Sequence, residues 1–194
     1  MDQAFEAAAH WVFGYGSLMW RPGFAFLDRR PARLHGRRRA FCISSVHHRG
    51  TPERPGLVLG LAPGGSVRGM VYRIAEADWP GVLAYLRERE QPTETYVEAT
   101  VRPRLEDGRL VRATTFLSDR AHPQWVGVMD LEAQARRIAG ARGLSGRNID
   151  YLEDLVIHLR AEGLADPFMA RLLDRVRALE GVAAARAFAA EVSG

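Results

Sequence analysis

The stretch HWVFGYGSLMW, residues 10–20, joins a short apolar run to two closely spaced glycines, a tyrosine and a serine. Its apolar run predicts a buried strand over residues 11–15 that leads into a glycine-containing turn. Pro22 and Gly23 follow soon after, so the helix and the third glycine of a dinucleotide-binding fingerprint are both missing. The turn therefore either needs the backbone freedom of glycine or presents its N–H groups to a ligand as an oxyanion hole or carboxylate nest. These residues alone leave both interpretations open.

Elsewhere the pattern is strands, one helix, further strands and then helices. The predicted elements are strands at 37–46, 95–104 and 109–118, a hairpin of 57–63 and 68–74 around two glycines, a helix at 78–90, and helices beginning near Asn148 (a candidate N-cap) and Asp166. This order predicts an α+β fold with a mixed, barrel-like sheet rather than a doubly wound parallel one. We expect a single domain over residues 1–194, with residues 1–9 as a candidate disordered segment.

The composition excludes several kinds of chemistry. The net charge is +4, and all 27 basic residues are arginine, so lysine Schiff bases, phosphate-loop lysines and lysine bases are ruled out. The arginines are spread along the chain apart from residues 37–39, so we expect no nucleic-acid partner. No apolar stretch is long enough to span a membrane. The start of the sequence lacks the pattern of a signal peptide, and we expect a cytoplasmic location.

The candidate nucleophiles and metal ligands have ordinary explanations. Ser17 lacks the glycine two residues later that a nucleophile turn needs, because Met19 stands there. Cys42, the single cysteine, lies within a predicted strand and is interpreted as a core residue. His47 and His48 would point to opposite sides of an extended chain, and no third ligand has a suggestive spacing. We therefore expect no metal site.

Two further residues remain ambiguous on their own. Glu90 ends the predicted helix 78–90 and is interpreted as a solvated helix end, with a partly buried carboxylate in a cleft as the alternative. Tyr151 falls in the first turn of the helix near Asn148. It belongs either to the core, with its hydroxyl at the rim, or to a site.

Six motifs occur together in a fixed order along the chain. They are FGYGSLMW (13–20), RRRAFC (37–42), HRGTPERPGLVLGL (48–61), GGSVRGMVYRI (64–74), LRERE (86–90) and GLSGRNIDYL (143–152). With these motifs the chain resembles the ChaC-like family of γ-glutamylcyclotransferases, in its glutathione-specific branch, from about residue 11 to about residue 175. The resemblance implies a compact mixed α/β barrel surrounded by helices. It also implies cleavage of glutathione into 5-oxoproline and cysteinylglycine.

The resemblance further implies roles for particular residues. Glu90 corresponds to the family's acid/base, and we expect the preceding Arg89 to point away from it. The implied substrate-binding residues are Val12, Phe13, Gly14, Tyr15, Gly16, Ser17, Leu18 and Tyr151. Residues 91–94 depart from relatives that carry two glycines there, which leaves the role of Tyr96 open. Two alternatives stay open as well: a cyclotransferase for another γ-glutamyl amide, and a non-catalytic regulator that binds γ-glutamyl groups.

The implied reaction suits these residues. The α-amine of the γ-glutamyl group attacks its own γ-carbonyl, so neither an enzyme nucleophile, a metal nor a cofactor is required. Holding the substrate folded is effective, because well-oriented intramolecular attack reaches effective molarities of about 10⁵ M or more. One carboxylate can serve as base and then as acid. An unperturbed glutamate has a pKa of about 4.3, and we expect partial burial of Glu90 to raise its pKa.

Overall fold

The computed structural model describes residues 10–90 and 95–192. The expectation for residues 1–9 and the departure at residues 91–94 lie outside the described residues. The chain forms two compact units. The first comprises the described residues of Met1–Ala40 and Leu59–Trp125, and the second those of Phe41–Val58 and Val126–Gly194. The single-domain expectation stays a prediction.

One mixed sheet dominates the fold. Its strands are β1 (His10–Gly14), β2 (Asp28–Ser45), β3 (Gly56–Ile74), β4 (Tyr96–Val101), β5 (Arg104–Leu105) and β6 (Ala113–Ser118). Their order is β4-β6-β1-β3-β2-β5. Strand β1 pairs parallel with β6 and antiparallel with β3, so it lies inside the sheet. All of these strands belong to the first unit except the adjoining ends of β2 and β3.

The core of the first unit follows from the alternation along these strands. Phe13, Tyr72 and Phe116 come from three strands and are almost completely buried. Helix α1 (Trp79–Glu90) adds Leu86, which is fully buried. The predicted helix 78–90 is thereby confirmed, and Glu90 is its last residue.

The second unit contains most of the helices. These are α2 (Leu131–Ile138), α3 (Asn148–Ala161) and α4 (Pro167–Val192), with the two-residue strands β7 (Arg142–Gly143) and β8 (Gly146–Arg147) before α3. Helices α2 and α3 both pack against α4. The carboxylate of Asp166 accepts hydrogen bonds from the N–H groups of Phe168 and Met169 at 3.1 and 3.2 Å, which confirms the predicted helix start. No helix in the described part of the chain is both long and apolar enough to cross a membrane.

The α+β class with a mixed sheet is confirmed, but three details differ from expectation. The predicted hairpin at residues 64–65 is wrong, because β3 continues through Gly64 and Gly65, which have φ values of 85° and 70° beside the Arg38 side chain. Asn148 is the first helical residue rather than the N-cap. The strand order ends at β4 and β5, and in the described residues no pairing of these two strands closes the expected barrel. Strand β5 has only two residues, which pair with β2.

Candidate active site

The turn that follows β1 is built by close approach of the backbone. Strand β1 ends at Gly14, and a 3₁₀ turn covers Ser17–Met19. A Cβ atom at Gly69 of β3 would lie 2.3 Å from the carbonyl oxygen of Gly14, and one at Gly14 would lie 3.0 Å from the Cβ of Leu18. Gly69 therefore needs glycine, whereas a side chain at Gly14 would make a tight contact with Leu18. The segment, hereafter the 14–19 turn, is held tightly against β3.

The carbonyl groups of the 14–19 turn are held by buried donors. Arg39 Nε donates to the carbonyl oxygen of Tyr15 at 2.8 Å. The Tyr72 hydroxyl lies 2.9 Å from the carbonyl oxygens of Leu18 and Met19. The Tyr15 hydroxyl in turn donates to the carbonyl oxygen of Phe116 at 2.9 Å. These bonds fix the turn from its inner side.

Three backbone N–H groups of the same turn, unlike its carbonyl groups, have no hydrogen-bond partner among the described residues. Among the described residues, no acceptor pairs with the backbone N–H of Gly16, Ser17 or Leu18. The first N–H groups of a helical turn lack partners within the turn and form a favourable place for negative charge. The turn therefore offers neighbouring donors to an anionic oxygen, which is one of the two interpretations that the sequence left open.

Glu90 lies largely buried at the end of α1. Its side chain is 19% exposed, and burial raises the pKa of its carboxyl group, as expected. The positive charge and hydrogen bond of Arg89 oppose that rise, with Arg89 Nε 3.2 Å from Glu90 Oε1. The interpretation of Glu90 as a solvated helix end is therefore wrong.

Arg89 does not point away from Glu90, so that expectation is also wrong. Its Nη2 donates to Ser17 Oγ at 2.9 Å, and its Nη1 donates to the carbonyl oxygen of Arg21 at 2.6 Å. The guanidinium therefore contacts the carboxylate of Glu90 while it donates hydrogen bonds to acceptors in the 14–19 turn and in the segment that follows it. One side chain thus brings Glu90 and Ser17 together.

The side chains of three other residues in the predicted binding segment are buried in the core. Val12 and Phe13 are completely buried in β1, and the carbonyl oxygen of Phe13 accepts a hydrogen bond from Thr115 Oγ1 at 2.9 Å. Their side chains are core, and only their backbone can serve a ligand. Leu18 is 7% exposed and also packs inward.

Tyr151 lies on α3, in the second unit. Its ring stands edge-on to Phe41, with 5.8 Å between ring centroids, and the Arg49 guanidinium carbon lies 5.3 Å from its centroid. These contacts place the ring at the partly buried edge of the apolar stripe. Its role as a site residue stays a prediction.

Sequence reasoning missed two supports of the 14–19 turn. Arg39 belongs to the basic cluster 37–39, which suggested an exposed side chain. It is in fact 7% exposed and donates hydrogen bonds to backbone carbonyl oxygens. The signal was its position within the predicted strand 37–46, directly before the apolar residues 40–43. The Tyr96 hydroxyl donates to the carbonyl oxygen of Leu59 at 2.7 Å, and Leu59 Cδ2 would lie 3.3 Å from a Cβ at Gly16. Tyr96 thus holds the residue that packs against Gly16.

The remaining candidates have structural surroundings. Cys42 is completely buried, which confirms its interpretation as a core residue. His48 Nδ1 lies 3.0 Å from Ser145 Oγ, and the rings of His47 and His48 are perpendicular to each other. Across residues 10–90 and 95–192, no three His, Cys, Asp or Glu side chains are grouped as metal ligands would be.

Comparison with known proteins agrees with the sequence motifs. A family model described as ChaC-like protein matches residues 10–179. The glutathione-specific γ-glutamylcyclotransferase of Escherichia coli (strain K12) is 37% identical over 169 residues, which cover 87% of this chain and 73% of that protein. The Homo sapiens glutathione-specific γ-glutamylcyclotransferase 1 is 33% identical over 177 residues, which cover 88% of this chain and 80% of the relative.

Solved structures give the same result. A crystal structure of a yeast γ-glutamyl cyclotransferase specific to glutathione has a TM-score of 0.79 and 26% identity, and it covers 89% of this chain and 99% of its own. The fold, the order of the motifs and the extent of the match leave one assignment: this protein belongs to the ChaC-like family.

Proposed function

We propose that this protein is a γ-glutamylcyclotransferase that converts glutathione into 5-oxoproline and cysteinylglycine. Membership of the ChaC-like family and the names of its relatives support this activity. The observation that carries the proposal is the position of Glu90: a largely buried carboxylate with a raised pKa, linked through Arg89 to the 14–19 turn. A cytoplasmic location is part of the proposal and rests on the sequence.

The reaction rearranges bonds within one substrate. The α-amino nitrogen of the γ-glutamyl group bonds to its γ-carbonyl carbon, and the bond from that carbon to the cysteine nitrogen then breaks. Two protons leave the α-ammonium group, one before and one after the attack, and two protons reach the departing nitrogen, which leaves as the ammonium group of cysteinylglycine, so no water is consumed. The catalyst has to fold the substrate, move protons from the attacking nitrogen to the departing one and stabilise the oxyanion of the tetrahedral intermediate.

We assign the proton transfer to Glu90. Its carboxylate accepts a proton from the attacking α-amino nitrogen and donates a proton to the leaving amine, and the second proton of each nitrogen is exchanged with solvent. Burial raises the pKa of this carboxyl above its ordinary value, which makes Glu90 a stronger base than an exposed glutamate.

We assign substrate binding to the backbone of residues 12–18. The assignment of Tyr151 as a substrate-binding residue rests on the family resemblance alone. The N–H groups of Gly16, Ser17 and Leu18 would donate to anionic oxygen atoms of the γ-glutamyl group. Ser17 binds rather than attacks, because its hydroxyl already accepts a hydrogen bond from Arg89 and has no histidine or other base in contact among the described residues.

The direct test incubates the purified protein with glutathione and measures 5-oxoproline and cysteinylglycine. Equal amounts of the two products support the proposal. A parallel incubation with γ-glutamylalanine separates a glutathione enzyme from one for other γ-glutamyl amides. Faster release of 5-oxoproline from γ-glutamylalanine than from glutathione would refute the substrate assignment, and no 5-oxoproline from either would refute the activity.

A further inference from the structure

We propose that Arg89 is a positioning residue for this reaction. It contacts both the carboxylate of Glu90 and the hydroxyl of Ser17, and so fixes the position of the base relative to the substrate-binding backbone. The inference rests on the proposed function, since it presumes that Glu90 acts on a γ-glutamyl group bound at the 14–19 turn. It assigns a task to a side chain that contacts neither the reacting bond nor the substrate in that scheme.

The contacts of the guanidinium carry the inference. Arg89 is the residue before Glu90, yet most of its hydrogen bonds go to another part of the chain, 67 to 72 residues earlier. Its partners are Ser17 Oγ at 2.9 Å, the carbonyl oxygen of Arg21 at 2.6 Å, that of Pro22 at 3.4 Å and the Tyr85 hydroxyl at 2.8 Å. The planar guanidinium, with its five donors in fixed directions, suits such a junction better than an ammonium group.

A second residue of α1 holds the guanidinium in place. The Tyr85 hydroxyl accepts a hydrogen bond from Arg89, and the guanidinium carbon lies 6.0 Å from the centroid of the Tyr85 ring. A Cβ atom at Gly23 would lie 2.1 Å from the same hydroxyl. The side chain is therefore enclosed between α1 and the segment after the 14–19 turn, and it is 22% exposed.

Arg87 shows what an ordinary arginine of this helix does. It forms an ion pair with Glu98, with 2.7 Å between Arg87 Nε and Glu98 Oε2, and its side chain is 53% exposed. Exposed pairs of this kind contribute little to stability and have no means of orienting a catalytic group. Arg87 and Arg89 lie in the same last turn of α1, so Arg87 provides a matched control.

The charge of Arg89 gives the proposal a distinct signature. Among the described residues, Arg89 is the charged group that contacts Glu90, while the neighbouring Ser17 and Tyr85 hydroxyls are neutral and bond to Arg89 instead. Burial raises the pKa of Glu90, and Arg89 lowers it. Removal of the guanidinium would therefore raise the pKa of Glu90 further, so that the acid limb of the pH profile of kcat/KM moves to higher pH.

Three variants test the inference: Arg89→Met, Arg89→Lys and the control Arg87→Met. In Arg89→Met we expect kcat to fall by about ten- to a hundredfold, with KM changed far less, because a misplaced catalytic group costs rate. The acid limb of the profile should move to higher pH. Arg89→Lys retains the charge but not the planar group, so its acid limb should stay near that of the wild type while its kcat is restored only in part. Arg87→Met should leave kcat and the profile unchanged.

A direct measurement separates this inference from the proposed function. The pKa of Glu90 is followed by carbon-13 NMR of labelled glutamate carboxyl groups, with Glu90→Gln identifying the signal. Cyclotransferase activity in Glu90→Gln would refute the role of Glu90 itself. A folded Arg89→Met with wild-type kcat and an unmoved Glu90 titration would refute the positioning role alone. If Arg89→Met does not fold, full wild-type kcat in Arg89→Lys refutes it instead.

Discussion

Replacement of Asn148 tests how the second unit is held together. Its side-chain amide pairs with the backbone of Leu57, accepting from the N–H at 2.7 Å and donating to the carbonyl oxygen at 2.8 Å. Both residues are completely buried. Asn148→Ala leaves two buried backbone groups without partners, each at a cost of about 1–3 kcal/mol, so we expect the free energy of unfolding to fall by about 2–6 kcal/mol. The lost packing adds to this cost.

The serine variant distinguishes this role from helix capping. Serine and asparagine are about equivalent as N-caps, so a capping role predicts that Asn148→Ser is nearly neutral. Serine has one oxygen in place of separate donor and acceptor atoms, so the paired role predicts that Asn148→Ser costs nearly as much as Asn148→Ala. Asp154, exposed on the same helix, supplies the control, and Asp154→Ala should change stability by less than about 0.5 kcal/mol.

The assay is urea unfolding followed by circular dichroism, with the slope of the transition checked in each variant. A loss of about 4 kcal/mol would lower the melting temperature by about 10 °C in a protein of this size. A serine variant as stable as the wild type, together with an alanine variant that loses less than about 1 kcal/mol, would refute the reasoning.

Three further predictions follow from close contacts and from burial. Gly16→Val should lower kcat/KM for glutathione by about tenfold or more, because a branched side chain blocks approach to the turn's N–H groups, and unchanged kcat/KM would contradict this. Gly69→Ala should lose about 2 kcal/mol or more in urea unfolding, since its Cβ would lie 2.3 Å from the carbonyl oxygen of Gly14. Gly81→Ala, with nothing within 4 Å, should be neutral or stabilising. Because the pKa of Glu90 is raised in the folded protein, ionisation of Glu90 lowers the free energy of unfolding at pH values above that raised pKa. This destabilisation is absent at pH values below the ordinary pKa of about 4.3. Glu90→Gln should therefore keep the fold and remove this fall of stability with rising pH, as measured by melting temperature between pH 4 and 8.

The parts of the fold that depend on local pattern were predictable. The apolar run and glycines of residues 10–20 gave β1 and its turn, and proline, apolar spacing and charge gave α1 up to Glu90. The hairpin predicted at residues 64–65 was wrong because positive φ values at glycine occur both in hairpin turns and at irregularities within a long strand. Only the pairing partners of β3 distinguish the two.

The parts of the site that depend on distant partners were not predictable. Asn148 has the residue type and position of an N-cap, but its partner lies 91 residues earlier. The direction of Arg89 is set by acceptors about 70 residues away, which helix periodicity cannot locate. The burial of Glu90 depends on the same packing. The family resemblance pointed to Glu90, whereas the residues around it favoured an exposed helix end.

The most direct test of the central claim compares Glu90→Gln with Glu88→Gln in glutathione turnover. Glu88 is an exposed carboxylate two residues earlier on α1, so both variants remove one charge from the same helix. With both variants folded, we predict that Glu88→Gln releases 5-oxoproline and cysteinylglycine at the wild-type rate, and that Glu90→Gln releases neither. Wild-type turnover by Glu90→Gln would contradict the account.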